Sequence, residues 1–212
     1  MVPETGNLSK DVITIQHPLD GFSCILVDND KHTFVPAAVY QEKNKSQYLE
    51  ILGLTDKDCV VCADFVKIAD AYNVFAVSKQ DYDELRKLPK DTAIHHTSSV
   101  IVASLIKDNM ERPDDVRVYL NIKDQNFEMT VLKGCNLLFD NNFRFKTKED
   151  FLYFLLFTIE QLHLDAGSVP VYFLGMIEEK SAIVEVTSRY MRDIRFMGKD
   201  YNAINKAKTC EL

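Results

Sequence analysis

Glycine is scarce, at seven in 212 residues, under half the usual share of about 7%. Loops that cradle phosphates are built on glycine, whose missing side chain lets backbone N–H groups close on the anion. The chain has little material for such loops. Basic charge is also short, with 25 Lys and Arg against 32 Asp and Glu, a net charge of −7 and a pI near 5.3. That argues against a dedicated nucleic-acid binder, which needs a basic face to neutralise phosphates. Long apolar runs are missing too. The longest, 151–159, is broken by Thr158 and flanked by Asp150 and Glu160, and it falls short of the roughly 20 residues that cross a bilayer. The first residues, MVPETGNLSKDV, lack the cationic and then apolar order of a signal peptide. The five cysteines are odd in number and sit mostly in apolar runs, so reduced, buried thiols and a cytoplasmic location are expected. What remains is 46% hydrophobic and 27% charged, the composition of a globular protein rather than a disordered one.

Along the chain, VITIQ (12–16) alternates as a half-buried strand does, and FSCILVD (22–28) and HTFVPAA (32–38) follow as further strands of a meander. A helix is expected over 41–52, stopped by Gly53. CVVCADF (59–65) and NVFAVS (73–78) read as buried strands, and Ser78 to Asp81 as a capping box opening a short helix. A strand at 93–96 and a helix at 98–107 close the first half. DNMERPDD (108–115) is the best linker. Strands are then expected at 116–122, 126–133 and 135–143. Thr147 to Asp150 opens a helix whose Phe151, Phe154, Leu155, Thr158, Ile159 and Leu162 share one face. With Leu152, Leu156 and Phe157 it is apolar almost all round, which predicts burial on more than one side; part of that surplus can instead serve a dimer or partner face. A buried strand at 169–175, a helix at 182–189 and a short strand at 193–197 complete the series.

The two halves match at an offset of 105 residues, which separates Phe22 from Phe127 and Ile15 from Leu120. This divides the chain into a first unit (11–107), a linker (108–115), a second unit (116–197) and a C-terminal tail (198–212). Each unit follows a β-β-β-α-β order, which gives a mixed sheet flanked by helices, and two in tandem leave a cleft between them. Tandem units of this kind are the layout of the actin, sugar-kinase and heat-shock-ATPase superfamily, each half a ribonuclease-H-like sheet. Through LDGFSCILVD (19–28), HHTSSV (95–100), VYLNIKDQNFEMTVLKG (118–134), TKEDFLYFLLFTIEQL (147–162) and RYMRDIRF (189–196), the chain also resembles an uncharacterised bacterial family with an actin-like ATPase fold. That resemblance implies a fold without a reaction.

Active members of the superfamily hold Mg-ATP on two Gly-rich turns with carboxylates and on a Gly-Gly pair after a strand of the second half. This chain departs at each. The first turn reads Gln16-His17-Pro18, with Asp20 and Gly21 displaced; the second, Asn121 to Asn126, has no glycine; the third has Gly175 followed by Met176. A side chain at any of these positions crowds a phosphate or the base. Lost nucleotide binding is the simplest reading, and no cofactor is expected. The alternative keeps Asp20 and Asp124 near Mg²⁺ and Gly175 against the base, with Asn121 in the cleft, as a divergent ATPase or phosphotransferase.

Other constellations favour structural roles. Cys59-Val-Val-Cys62 lacks the second pair that zinc needs and does not open a helix as a redox motif does. His95 and His96 are adjacent, so on a strand they point to opposite faces, and no acidic partner lies nearby in sequence. His17, in the first turn, is read as a solvent-facing turn residue. Arg189, Arg192 and Arg195 make the end of the chain locally basic, expected as a solvated helix end rather than an anion site. A two-metal nuclease requires carboxylates on the first strands of each unit, and VITIQ and VYLNI carry none. The expectation is a non-catalytic module whose partner is another protein or a second copy, with no nucleic acid and no membrane span.

Overall fold

In the computed structural model, residues 12–15, 23–26, 59–88, 93–123, 125–175 and 177–197 are described. The expected strand at 32–38, helix at 41–52 and tail at 198–212 lie outside them. Two short strands come first, β1 (Val12–Ile15) and β2 (Ser23–Leu26). Strands β3 (Cys59–Val66) and β4 (Ala71–Ser78) form an antiparallel hairpin. Helix α1 (Lys79–Leu85) follows, capped by Ser78 Oγ, which accepts from Asp81 N at 3.1 Å. Strand β5 (Ala93–His96) runs directly into helix α2 (Thr97–Asp108). Then come β6 (Val116–Ile122), β7 (Asn126–Lys133), β8 (Asn136–Arg144), α3 (Lys148–Gln161), β9 (Val171–Gly175), α4 (Ala182–Thr187) and β10 (Ile194–Phe196).

Eight strands make one mixed sheet in the order β10-β9-β6-β7-β8-β2-β4-β3, while β1 and β5 make a separate parallel pair. Strands β6, β9 and β10 are parallel; β6, β7 and β8 are successive antiparallel neighbours. Strand β2 joins β8 to the β3–β4 hairpin. The meander expected at the start of the chain is not formed among the described residues: β1 pairs with β5, and β2 lies between β8 and β4, so the first half contributes an edge hairpin instead. The β7–β8 turn needs Gly134: its φ is +54°, and an added Cβ would lie 2.4 Å from the Pro113 carbonyl oxygen.

Strand alternation sends Val118, Leu120, Phe127, Met129, Val131, Val171 and Phe173 to one face, where Phe151, Leu155 and Ile159 of α3 and Val184 of α4 cover them. Phe127 lies 4.6 Å from Phe151, centroid to centroid. Each such fully buried ring contributes about 1.5–3 kcal/mol. The other face sends Tyr119, Leu132, Tyr172 and Leu174 against Ile101, Val102, Leu105 and Ile106 of α2. Strand β6 is thus buried on both sides, which is why VRVYLNI carries an almost unbroken apolar run.

Thr147 starts α3 with a full capping box. Its Oγ1 accepts from Asp150 N at 3.1 Å, and the Asp150 carboxylate accepts from Thr147 N at 3.0 Å. The expectation that α3 is buried on more than one side does not hold. Only Phe151, Leu155, Thr158 and Ile159 are fully buried, and Tyr153 and Phe157 are 62% and 48% exposed.

Candidate functional site

In open α/β sheets, ligands bind beyond the carboxyl ends of parallel strands. Two such ends are present. In the first, β1 runs parallel to β5 with Ile15 beside His96; in the second, β6 runs parallel to β9 with Ile122 beside Gly175.

At the first end, β5 stops where α2 begins, so the free N–H groups of the first helical turn open at the strand terminus. Protein groups take two backbone N–H groups here, those of His96 and Ser98. Asp64 of β3, buried, accepts from His96 N through Oδ2 at 2.9 Å. His96 is the N-cap: its Nδ1 accepts from Ser98 N at 3.2 Å and from Asn73 Nδ2 at 3.1 Å. Asn73 Nδ2 also donates to Ser99 Oγ at 3.1 Å, and the His96 ring lies 4.4 Å from that of Phe75. His95, on the opposite face, donates from Nδ1 to Asp64 Oδ1 at 2.9 Å. That hydrogen bond raises the His95 pKa above its ordinary value against the opposing effect of burial. The acidic partner that His95 lacks in its local sequence is 31 residues away, across the hairpin. The only signal for it is Asp64 itself, a carboxylate inside an apolar strand run.

At the second end, the structure brings together two of the five sequence candidates, Asn121 and Gly175. Asp20, Gly21 and Asp124, like His17, lie outside the described residues. Gly175 has φ +81°, and a Cβ there would meet the Ile122 carbonyl oxygen at 2.3 Å and Asn121 Oδ1 at 2.7 Å. The glycine is required by the approach of β6. Asn121 Nδ2 donates to Glu128 Oε2 at 3.2 Å, and Lys123 N closes the β6–β7 turn on the Asn126 carbonyl at 2.9 Å.

Behind this end lies a polar row that sequence reasoning missed. Asn121, Glu128 and Asn142 are register partners on β6, β7 and β8, with Thr130 beside Asp140 one step along. Glu128 and Asp140 are both buried, and each keeps one oxygen without a partner, Glu128 Oε1 and Asp140 Oδ2. Thr130 Oγ1 donates to Asp140 Oδ1 at 2.6 Å. Burial, and then the neighbouring Glu128, hold the Asp140 carboxyl well above its ordinary pKa. The available signal was a carboxylate within each of two strands, Glu128 in NFEMTVLK and Asp140 in NLLFDNNFR.

The remaining constellations resolve into structure. Cys59 and Cys62 are reduced thiols on β3, and burial pushes Cys62 up to about 11, too high for a reactive thiolate. Arg189 pairs with Glu185 at 2.7 Å, and Arg195 pairs with Asp193 and donates to Tyr172 Oη at 2.7 Å. A groove of about 530 Å³, lined by Asp115, Arg117, His163, Asp165, Tyr172 and Arg195 among others, opens at the amino ends of β6, β9 and β10. It is at the opposite end of these strands from Asn121 and Gly175. Among the described residues, no three His, Cys, Asp or Glu side chains are grouped to hold a metal, and no helix is long and apolar enough to cross a membrane.

The arrangement is matched in solved structures. A Bacteroides thetaiotaomicron VPI-5482 protein with an actin-like ATPase fold and unknown function is similar at a TM-score of 0.72 and 17% identity, over 84% of this chain and 70% of that one. A chain of a PilM–PilN type IV pilus biogenesis complex is similar at a TM-score of 0.43 and 10% identity, over 74% of this chain and 62% of that one. A search of curated proteins finds no match. The likeness to the Bacteroides protein shows the actin-like ATPase fold that the family resemblance implies, a mixed sheet flanked by helices. A family profile described as "Protein of unknown function (DUF3822)" matches residues 24–194, and the chain belongs to that family.

Proposed function

We propose that the protein is a nucleotide-independent interaction module of the bacterial cytoplasm. In this reading two duplicated ribonuclease-H-like units, 11–107 and 116–197, joined by 108–115 and followed by a tail at 198–212, keep the actin-like fold for its surfaces. The equivalence of the two parallel pairs, β1 with β5 and β6 with β9, supports the two-unit division.

One observation carries the proposal: at both carboxyl ends, described backbone N–H groups are bonded to the protein itself. Asp64 accepts from the His96 N–H just before α2, and His96 Nδ1 accepts from the Ser98 N–H. The Lys123 N–H is used in its own turn, and the space beside Gly175 is filled by Asn121 and Ile122. This arrangement weighs against an Mg-ATP site at these two ends, and no reaction step is assigned to it. The Asp64–His95 contact resembles a catalytic dyad in its distance. In this reading it serves as a tie, one carboxylate holding both the His95 ring and the His96 backbone. Calorimetric titration with Mg-ATP, paired with a phosphate-release assay, tests the reading. Neither binding nor turnover is expected. Saturable binding, or turnover that disappears on changing Asp20 or Asp124, would revive the divergent ATPase or phosphotransferase.

A further inference from the structure

The outer face of α3 has a defined pattern. At about 100° per residue, Glu149, Tyr153, Phe157 and Glu160 fall on one stripe, opposite the buried Phe151, Leu155, Thr158 and Ile159. Tyr153 and Phe157 are 62% and 48% exposed, and their rings stack at 5.9 Å with an interplanar angle of 21°. Tyr153 also meets Phe154 edge-on at 5.4 Å, and Phe154 stacks on Phe143 of β8 at 4.9 Å. The exposed pair is therefore anchored through a chain of rings to the sheet and presents a preformed surface at small entropic cost to a partner. An exposed Glu lies at each end of it.

We infer that this stripe docks an amphipathic helix of another protein, one whose apolar face is flanked at both ends by Lys or Arg. The inference rests on the interaction-module reading and names the class of partner. Exposed aromatics are common interface anchors, one helix face packs on another ridge into groove, and the two flanking carboxylates select cations. The same charges argue against a second copy. An antiparallel α3–α3 pairing about the centre of the stripe sets Glu149 against the partner copy's Glu160, and a parallel one sets each Glu against itself, so either arrangement places like charges together. Lys148 lies about 140° around the helix from Tyr153, too far to relieve this.

The test is a display selection of helical peptides on the full chain, with a library holding one Leu/Phe face and randomised flanks. Selected peptides should carry Lys or Arg on both flanks. They should lose at least tenfold in affinity against Tyr153→Ser/Phe157→Ser, and their preference should reverse to acidic flanks against Glu149→Lys/Glu160→Lys. Both variants change exposed side chains, and near-ultraviolet circular dichroism checks that they fold. Selection without flank bias, or binding untouched by the aromatic changes, overturns the inference. So does a dimer in analytical ultracentrifugation that dissociates in Tyr153→Ser/Phe157→Ser. The Mg-ATP titration reports separately. Nucleotide binding with peptide selectivity intact rejects only the nucleotide-independent reading; lost selectivity without nucleotide binding rejects only the α3 surface.

Discussion

The two carboxyl ends are topologically alike and are filled by different means. At the β1–β5 end, the helix terminus is answered by charge: one carboxylate, Asp64, holds both the His95 ring and the His96 backbone. At the β6–β9 end, closure is steric, with Gly175 under Asn121 and Ile122 and the Asn121 amide turned to the Glu128 carboxylate. A strand terminus in this fold is thus filled in one case by an internal anion and in the other by backbone approach. Neither requires a bulky plug. It also predicts different failures. The steric end tolerates no added atom, whereas the charged end is sensitive to pH and to loss of one group.

The largest effect is expected at the steric end. Gly175→Ala places a methyl group 2.3 Å from a backbone oxygen at positive φ, and should cost about 2–4 kcal/mol, read by urea unfolding. A cost below about 1 kcal/mol would show that β9 can move away from β6, and the steric half of the comparison would fail. Next is Asp64→Ala, which strands a buried backbone N–H and removes the partner of His95. A loss of about 1–3 kcal/mol is expected, with Asp64→Asn losing less because its amide oxygen can still accept from His96 N.

The pH response separates the ends further. His95 has a folded pKa raised by Asp64, so its stabilisation is complete below the unfolded value near 6.5 and is lost as pH rises through the higher folded value. His95→Gln should flatten the stability profile above about pH 6.5. Asp140 is also raised. It holds its proton more tightly when folded, and its favourable contribution is present below the unfolded value near 4 and lost as pH rises through the folded one. Asp140→Asn should therefore be the mildest change, neutral or stabilising by about 1 kcal/mol or less at pH 7, and should remove the part of the decline that begins near pH 4. If His95→Gln leaves the alkaline limb unchanged, the charged tie is not what holds the first end.

Much of this fold was legible in local patterns. The alternation of β6 to β8, the capping box at Thr147 and the Phe-rich face of α3 each act within a few residues, so sequence spacing alone identifies them. What was hidden depends on pairing across long separations. Asp64 reaches His95 because the β3–β4 hairpin folds beside β5, and nothing in HHTSSV records that. Strand β2 splices the hairpin onto β8, a choice between edges that period-2 alternation cannot make. The exposure of Tyr153 and Phe157 was obscured because α3 is apolar nearly all round, so its periodicity could not say which face the sheet takes. Asn121 and Gly175 were singled out from the superfamily layout, and they do meet. The reason for the glycine is the neighbouring strand.

In the reading proposed above, groups of the protein itself stand where a phosphate would bind, and Mg-ATP has no site. Thermal unfolding with and without about 1 mM Mg-ATP is the decisive measurement. No change in Tm is expected. A site of about 10 μM affinity would add about 2.7 kcal/mol, or roughly 5–10 °C for a chain of this size, and a shift of that order would contradict it.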